Sequence, residues 1–294
     1  MKVLCMRPNF FIVGGSKCGT TNISYYLSLH SKIFFSELNE PYYFCKWDVP
    51  KNYQRESMIT DMTKYLDLFK NVTSEIIVGE ASSPYLSCPH AASEIKKAFP
   101  DSKILISIRN PIERAHSAYF SYQFMHPTKQ NFMEMIKTHK KLIDENTFFL
   151  DSILESGFYT ENIIRFQNAF GKDNVKIIIF EDYIKNTELI IKSIQQFLGL
   201  NEETNFDDQP KGSYRIPKNF TSKILLDNKS FRKLSTFFIP TVTRQKLGDK
   251  YFLKEAKKPK MSDSERKYLK ELYYNEVIQL EKFLGKKLPW DDFN

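Results

Sequence analysis

Cysteine is scarce: the 294 residues contain four, Cys5, Cys18, Cys45 and Cys88, with no CxxC pair and no histidine at ligand spacing. That excludes a zinc-finger type of site and argues against a disulfide framework, which belongs to shorter chains far denser in cysteine. No apolar run approaches the ~20 residues that a membrane span requires. Nor does an apolar signal segment fit before the first strand, which begins by Asn9. Internal repeats, low-complexity tracts and obvious linkers are also missing. Together these scarcities lead us to expect a reducing, cytoplasmic setting, in which the Asn71-Val-Thr and Asn219-Phe-Thr sequons go unused.

What the chain does have is ordinary for a globular enzyme: 41% hydrophobic and 27% charged residues, at a length that can bury a full core. Its 25 Phe and 16 Tyr provide thick cores and stacking surfaces. Lys and Arg outnumber Asp and Glu by 43 to 35, a net charge of +8 that favours anionic partners through the long-range field. These basic residues are dispersed along the chain, with an excess in "KEAKKPK" and "GKK" near the C-terminus. A nucleic-acid or polyanion surface would instead place them in stripes interleaved with aromatics.

Short apolar runs alternate with longer helical patterns. "FFIV" (10–13), "IIV" (76–78), "KILISI" (103–108), "VKIIIF" (175–180) and the weaker "KIFFS" (32–36) read as strands. Their near-continuous apolar character predicts a parallel sheet covered on both faces. Helices are predicted at 20–29, 89–98, 111–123, 131–146, 148–156, 160–170 and 186–198, with a tail helix from Ser262 to Gly285. Asn110 is placed to cap a helix opening on Pro111, and Gly199 to end another. The polar, Pro-punctuated stretch 201–220 reads as loop. The expected fold is a single α/β domain over 1–294, its mostly parallel central sheet flanked by helices, with a core at about 9–220 and a helical extension at about 221–294.

Two segments carry the chemistry. "FFIVGGSKCGTTNISYYL" (10–27) runs from strand through a small-residue turn into a helix. Such a turn offers unpaired backbone N–H groups with the positive end of the helix dipole behind them. Gly15 and Gly19 admit a ligand close to the backbone, Lys17 adds a point charge, and Thr20 and Thr21 add hydroxyls. The Walker A loop needs its Lys after the last Gly and directly before Ser or Thr. Here Lys17 precedes Gly19, so this P-loop-like turn is not a standard ATP loop. "KILISIRNPIERAHSAY" (103–119) repeats the strand–turn–helix plan, with Arg109 at the strand end and Ser117 eight residues on. Arg grips phosphate bidentately, and carboxyl strand ends are the usual ligand position in open α/β sheets. Two anion seats predict a ligand with two separated phosphate groups.

Together these segments resemble the cofactor fingerprint of the sulfotransferases that use 3′-phosphoadenosine 5′-phosphosulfate (PAPS), in the bacterial and heparan-sulfate-modifying branch. The resemblance implies that Ser16, Lys17, Cys18, Gly19, Thr20, Thr21 and Asn22 hold the 5′-phosphosulfate, and Arg109 and Ser117 the 3′-phosphate. "NEPYYFC" (39–45) resembles that branch's K-E-P-H-F-F segment, which places Glu40 as catalytic base. Asn39 stands where the family has Lys, and Tyr42 where many members have His. "GEASSPYL" (79–86) resembles the stretch lining the acceptor cleft, giving Tyr42, Tyr43, Ser82 and Tyr85 as acceptor-side candidates. "KGSYRIPKN" (211–219) sits where members carry a basic loop closing over the nucleotide, which adds Lys211, Gly212 and Ser213. Tyr159 either contacts the nucleotide or begins a helix.

In the reaction this implies, Glu40 takes the proton of a hydroxyl or amine on a small-molecule or saccharide acceptor, and Lys17 stabilises the leaving group, the product being adenosine 3′,5′-bisphosphate (PAP). The scheme needs no metal. Two rivals differ in class. A P-loop kinase or nucleotide hydrolase is weakened by the displaced Lys and by the want of a Walker B carboxylate. A non-catalytic polyanion-binding protein is weakened by the dispersed charge.

Overall fold

Five strands form where the apolar runs fall: β1 (Phe10–Gly14), β2 (Ile33–Phe35), β3 (Ile77–Ala81), β4 (Lys103–Ile108) and β5 (Val175–Ile179). They make one parallel sheet in the order β2-β3-β1-β4-β5. The computed structural model describes residues 7–36, 38–49, 58–125, 128–144, 152–203, 215–219, 221–222 and 251–294.

The strands are apolar in both alternating sets because both faces are covered. Phe11, Val13, Ile104 and Ile106 point into a core shared with α3 (Ala91–Ala98), α4 (Pro111–Met125), α6 (Thr160–Phe170) and the tail helix α9 (Asp263–Leu284). Phe10, Ile12, Leu105 and Ile178 point the other way, against α1 (Thr20–Ser28), α7 (Phe180–Lys185) and α8 (Thr187–Phe197). Two further helices, α2 (Met62–Asp67) and α5 (Phe132–Asp144), lie between sheet elements in sequence.

Local signals set several boundaries. Asn110 Oδ1 accepts the Ile112 amide at 3.0 Å, the cap that the proline following it requires. Ser262 and Glu265 form a reciprocal capping box at the start of α9, and Gly285, at φ 67°, closes its other end.

Two expectations need correction. Among the described residues of 148–156 there is no α-helix: Glu155–Gly157 form a single 3₁₀ turn. The Leu154 carbonyl, which a helix would use internally, accepts instead from the Gly157 amide at 2.9 Å and the Tyr273 hydroxyl at 2.8 Å. The stretch 201–220 is not all loop, since Arg215–Pro217 pair antiparallel with Leu253–Glu255. The chain divides into two compact units, one of Met1–Asp207 with Met261–Asn294, the other of Asp208–Lys260. The tail helix thus belongs with the sheet.

The strand order places the site. From β1 the chain passes to β2, beyond β3; from β3 it crosses β1 to reach β4. Connections therefore leave in opposite directions around β1, and the carboxyl ends of β3, β1 and β4 lie side by side at this switch point.

Candidate active site

The turn after β1 is bound to the neighbouring strand. The Gly15 amide donates to the Ser107 carbonyl, and Ser107 Oγ donates to the Cys18 carbonyl at 2.7 Å. Lys17 and Gly19 both have left-handed backbone, at φ 66° and 82°. At Gly19 a Cβ would also lie 2.9 Å from the Phe180 ring, so glycine is required there twice over. The amides opening α1, at Gly19, Thr20 and Thr21, have no carbonyl one turn earlier to bond. Thr21 is exposed, Ser16 half-buried and Thr20 buried. Asn22 is tied sideways, its Oδ1 accepting from the Tyr183 hydroxyl at 3.0 Å. Cys18 turns inward: its amide donates to Gly15 at 3.1 Å, and burial pushes its thiol up to about 11.

Lys17 leaves much of its surface to solvent yet is ringed by protein, as a side chain on the floor of a cleft would be. Desolvation there lowers its pKa. Glu40 opposes that effect, and the Arg109 charge adds to it. Lys17 is therefore near enough to both of the other charged residues chosen from sequence to feel their charges.

Arg109 follows β4 directly. Its Nη1 donates to the Lys17 carbonyl at 3.3 Å, and its guanidinium carbon lies 4.6 Å from the centre of the Phe180 ring. Its Nε is buried and has no hydrogen-bond partner among the described residues. Ser117 is buried on α4. Tyr159 is wholly buried; its hydroxyl donates to the Arg109 carbonyl at 2.8 Å and lies 3.9 Å from Cys18 Sγ. Of the two sequence alternatives for Tyr159, the helix start is the one seen: it stands at the N-cap position of α6, and its hydroxyl steadies the Arg109 turn.

Tail residues, which nothing local in the sequence marks, fasten that turn. Glu181 accepts from the Asn110 amide at 3.1 Å and from Trp290 Nε1 at 2.9 Å, while Asp292 accepts from Asn110 Nδ2 at 2.9 Å. His116 packs edge-on against Phe120 and tilted against Phe132, as a core histidine.

Glu40, in the segment that follows β2, is tied to the end of β3 at the same edge. Its amide donates to the Ala81 carbonyl at 3.1 Å, and its own φ is 56°. Its two carboxylate oxygens are held separately, one by the Tyr42 hydroxyl, the other by Ser83 Oγ at 2.5 Å. Tyr42, Tyr43, Ser82 and Tyr85 are all buried and form the wall behind this carboxylate. The Tyr42 amide donates to Ser82 Oγ and the Phe44 amide to the Tyr85 hydroxyl, each at 3.3 Å.

Sequence reasoning passed over Glu80 and Ser83, although both stand in the "GEASSPYL" stretch it singled out. Glu80 is fully buried in the last turn of β3, 3.2 Å from the Tyr65 hydroxyl that donates to it. Desolvation pushes it up to about 7, opposed by hydrogen bonds from Ser82, Tyr85 and Tyr65. A charge-bearing residue inside an otherwise apolar strand was the available signal. Lys211, Gly212 and Ser213 lie outside the described residues. Among the described residues no group of three or more His, Cys, Asp or Glu could hold a metal ion, and no helix is long and apolar enough to cross a membrane.

Known proteins resemble this chain in sequence and in fold. A crystal structure of a sulfotransferase from Alicyclobacillus acidocaldarius superposes with a TM-score of 0.73 at 27% identity, over 96% of this chain and 98% of that one. Carbohydrate sulfotransferase 15 of Rattus norvegicus is 24% identical over 286 residues, covering 75% of this chain and 51% of the relative. The bifunctional heparan sulfate N-deacetylase/N-sulfotransferase 1 of Xenopus laevis is 26% identical over 295 residues, 96% of this chain but 30% of the relative. The chain thus spans about half the length of the first of these curated relatives and under a third of the second. A sulfotransferase domain model matches residues 7–273, nearly the whole chain. With that match, and with the strand-end geometry that the resemblance led us to expect, the chain belongs to the sulfotransferase domain family.

Proposed function

We propose that the protein moves a sulfuryl group from PAPS to a hydroxyl or amine of a saccharide acceptor and releases PAP. The observation that carries this reading is the meeting of Lys17, Arg109 and Glu40 at the adjoining ends of β1, β4 and β3.

The residues fit the nucleotide on their own chemistry. The α1 amides and Lys17 suit one anionic group. Arg109 has a buried Nε without a partner, and a bound phosphate would satisfy it. Ser117, buried on α4, would join Arg109 on the 3′-phosphate. When bound, PAPS supplies a sulfuryl group already activated by its phosphate leaving group.

The chain's own contribution is positioning and charge. Glu40, oriented through both oxygens by Tyr42 and Ser83, accepts the proton that the acceptor oxygen or nitrogen gives up. Lys17 holds a positive charge where negative charge grows on the departing phosphate oxygen.

A saccharide is favoured by the carbohydrate and heparan sulfate sulfotransferases among the relatives. It is favoured also by Trp47, 45% exposed, with the Lys46 ammonium 4.3 Å from its ring centre, in the segment that follows Glu40. An aromatic face and a cation together suit an anionic sugar.

Thermal stabilisation tests the cofactor directly. PAP should raise the melting temperature more than ATP with magnesium or heparin does, because binding to the native state stabilises by mass action. A dominant ATP–magnesium shift would return the protein to the kinase or hydrolase class. Transfer of labelled sulfate from PAPS to a panel of glycans, and its absence on non-sugar alcohols, then tests the acceptor.

A further inference from the structure

Cysteine, the scarce residue of this chain, has no part in the chemistry above beyond the main chain of Cys18. Three of the four cysteines lie among the described residues, all buried. Cys18 faces Tyr159 at 3.9 Å. Cys45 and Cys88 face each other, with their sulfurs 2.6 Å apart. That is about half an ångström beyond the ~2.05 Å of a disulfide bond, and well inside ordinary contact between unbonded sulfurs.

The two thiols end a series of contacts between the same two segments. Ser83 Oγ meets Glu40 at 2.5 Å, the Tyr42 amide meets Ser82 Oγ at 3.3 Å, and the Phe44 amide meets the Tyr85 hydroxyl at 3.3 Å. Cys45 and Cys88 come next along both segments. Each cysteine is fixed by its own turn, the Cys45 amide donating to Tyr42 at 3.0 Å and the Cys88 amide to Pro84 at 3.1 Å. The pair is not part of a metal centre among the described residues. We propose that Cys45 and Cys88 form a disulfide that staples the Glu40 segment to the segment carrying Ser83 and Tyr85.

The step balances with a small-molecule disulfide, such as oxidised glutathione, as oxidant. One cysteine thiolate attacks a sulfur of the reagent and expels one equivalent of thiol, leaving a mixed disulfide. The second thiolate attacks the protein-bound sulfur, closes Cys45–Cys88 and expels the second thiol. The protein gives up two protons and two electrons, and the reagent gains them. Burial raises the pKa of both thiols and shuts out reagents, so the exchange belongs to folding, before the segments close. Once made, the bond is shielded from reductants by the same burial.

The test uses the unmodified chain, unfolded under reducing conditions and refolded with either oxidised and reduced glutathione or thiol alone. Free thiols are then counted under denaturing conditions, and digests are analysed by mass spectrometry without reduction. The expected result after oxidative refolding is two free thiols, Cys5 and Cys18, and one linked peptide pair joining Cys45 to Cys88. The bridged form should melt on the order of 5–10 °C above the reduced form, and Cys88→Ala should abolish that difference. Four free thiols after oxidative refolding, or a bridge through Cys5 or Cys18, overturns the proposal; so do equal melting temperatures of the bridged and reduced forms. Should refolding fail, cell-free synthesis in the same two buffers gives the same counts. A bridge in the protein as isolated would also remove one ground of the cytoplasmic expectation, the sparse cysteine.

Discussion

The two groups of residues that meet at the carboxyl edge of the sheet, the phosphate side proposed for Lys17 and Arg109 and the carboxylate side of Glu40, are built by different means. The phosphate side is made by strand ends and a helix start: Lys17 and Arg109 each follow a sheet strand within three residues, and their turns are fixed by bonds to the main chain. The carboxylate side is made by two stretches with little regular structure, 38–49 and 82–88, held together by side chains. The first is anchored by main-chain bonds to the sheet; the second is held by side-chain hydrogen bonds and the Cys45–Cys88 contact. Mutations should therefore act differently on the two sides. On the phosphate side, removing a charge should cost binding or catalysis while the fold stays. On the carboxylate side, the neighbours of Glu40 should affect geometry and stability together.

The largest effects should come from the two residues given chemical roles. Lys17→Ala and Glu40→Gln should each lower kcat by ~100-fold or more, the lower range for lost electrostatic or acid–base catalysis. Glu40→Gln should keep its melting temperature and its affinity for PAP. Near-normal turnover in that variant would remove Glu40 from the chemistry and with it the functional meaning of the carboxylate side. Arg109→Ala should come next, weakening PAP binding about 10- to 100-fold, the range for a lost hydrogen bond between charged groups. Calorimetry with PAP reads this without turnover, and unchanged affinity would leave the buried Arg109 Nε without a purpose.

The same contrast explains what the sequence disclosed. All five strands were legible because a parallel sheet buried on both faces writes itself as unbroken apolar runs. The placing of Lys17 and Arg109 just beyond strand ends was legible because strand, turn and helix start are adjacent in the chain, and Glu40 was singled out because the order of motifs resembled a known family. Ser83 was not, since its function depends on a contact across 43 residues. Nor were Trp290 and Asp292, which brace the Arg109 turn from the far end of the chain. The 3₁₀ turn at Glu155–Gly157 was misread as helix because Tyr273, more than a hundred residues on, claims the Leu154 carbonyl. Local pattern yields local structure, and long-range side-chain contacts are where it fails.

Smaller effects should separate orientation from chemistry on the carboxylate side. Ser83→Ala and Tyr42→Phe each remove one hydroxyl that holds a Glu40 oxygen. Each loss should lower kcat by about 3- to 10-fold, in keeping with ~0.5–1.5 kcal/mol for a neutral hydrogen bond. The double variant should lose more than the product of the two, since the carboxylate then has neither guide. A double variant no worse than either single would show that one hydroxyl alone sets the orientation.

The remaining effect leaves turnover aside, concerns stability and isolates Glu80. In the unfolded chain this carboxyl titrates near 4.5, whereas burial raises it to about 7 in the fold. Between these values the folded protein keeps a proton that the unfolded chain releases, so stability falls as pH climbs from about 4.5 to about 7 and stays lower above that. Glu155 is raised to about 7 as well, chiefly by desolvation, and contributes in the same direction. Glu80→Gln should therefore remove part of the slope and leave the rest. It keeps an oxygen to accept from Tyr65, so the variant should melt higher than the parent at pH 8 and close to it at pH 5, a difference on the order of 1–3 kcal/mol at most. Melting curves across that range decide the matter. A variant that loses stability equally at both pH values would mean that Glu80 serves the wall behind Glu40 as a hydrogen-bond acceptor and stays ionised inside it.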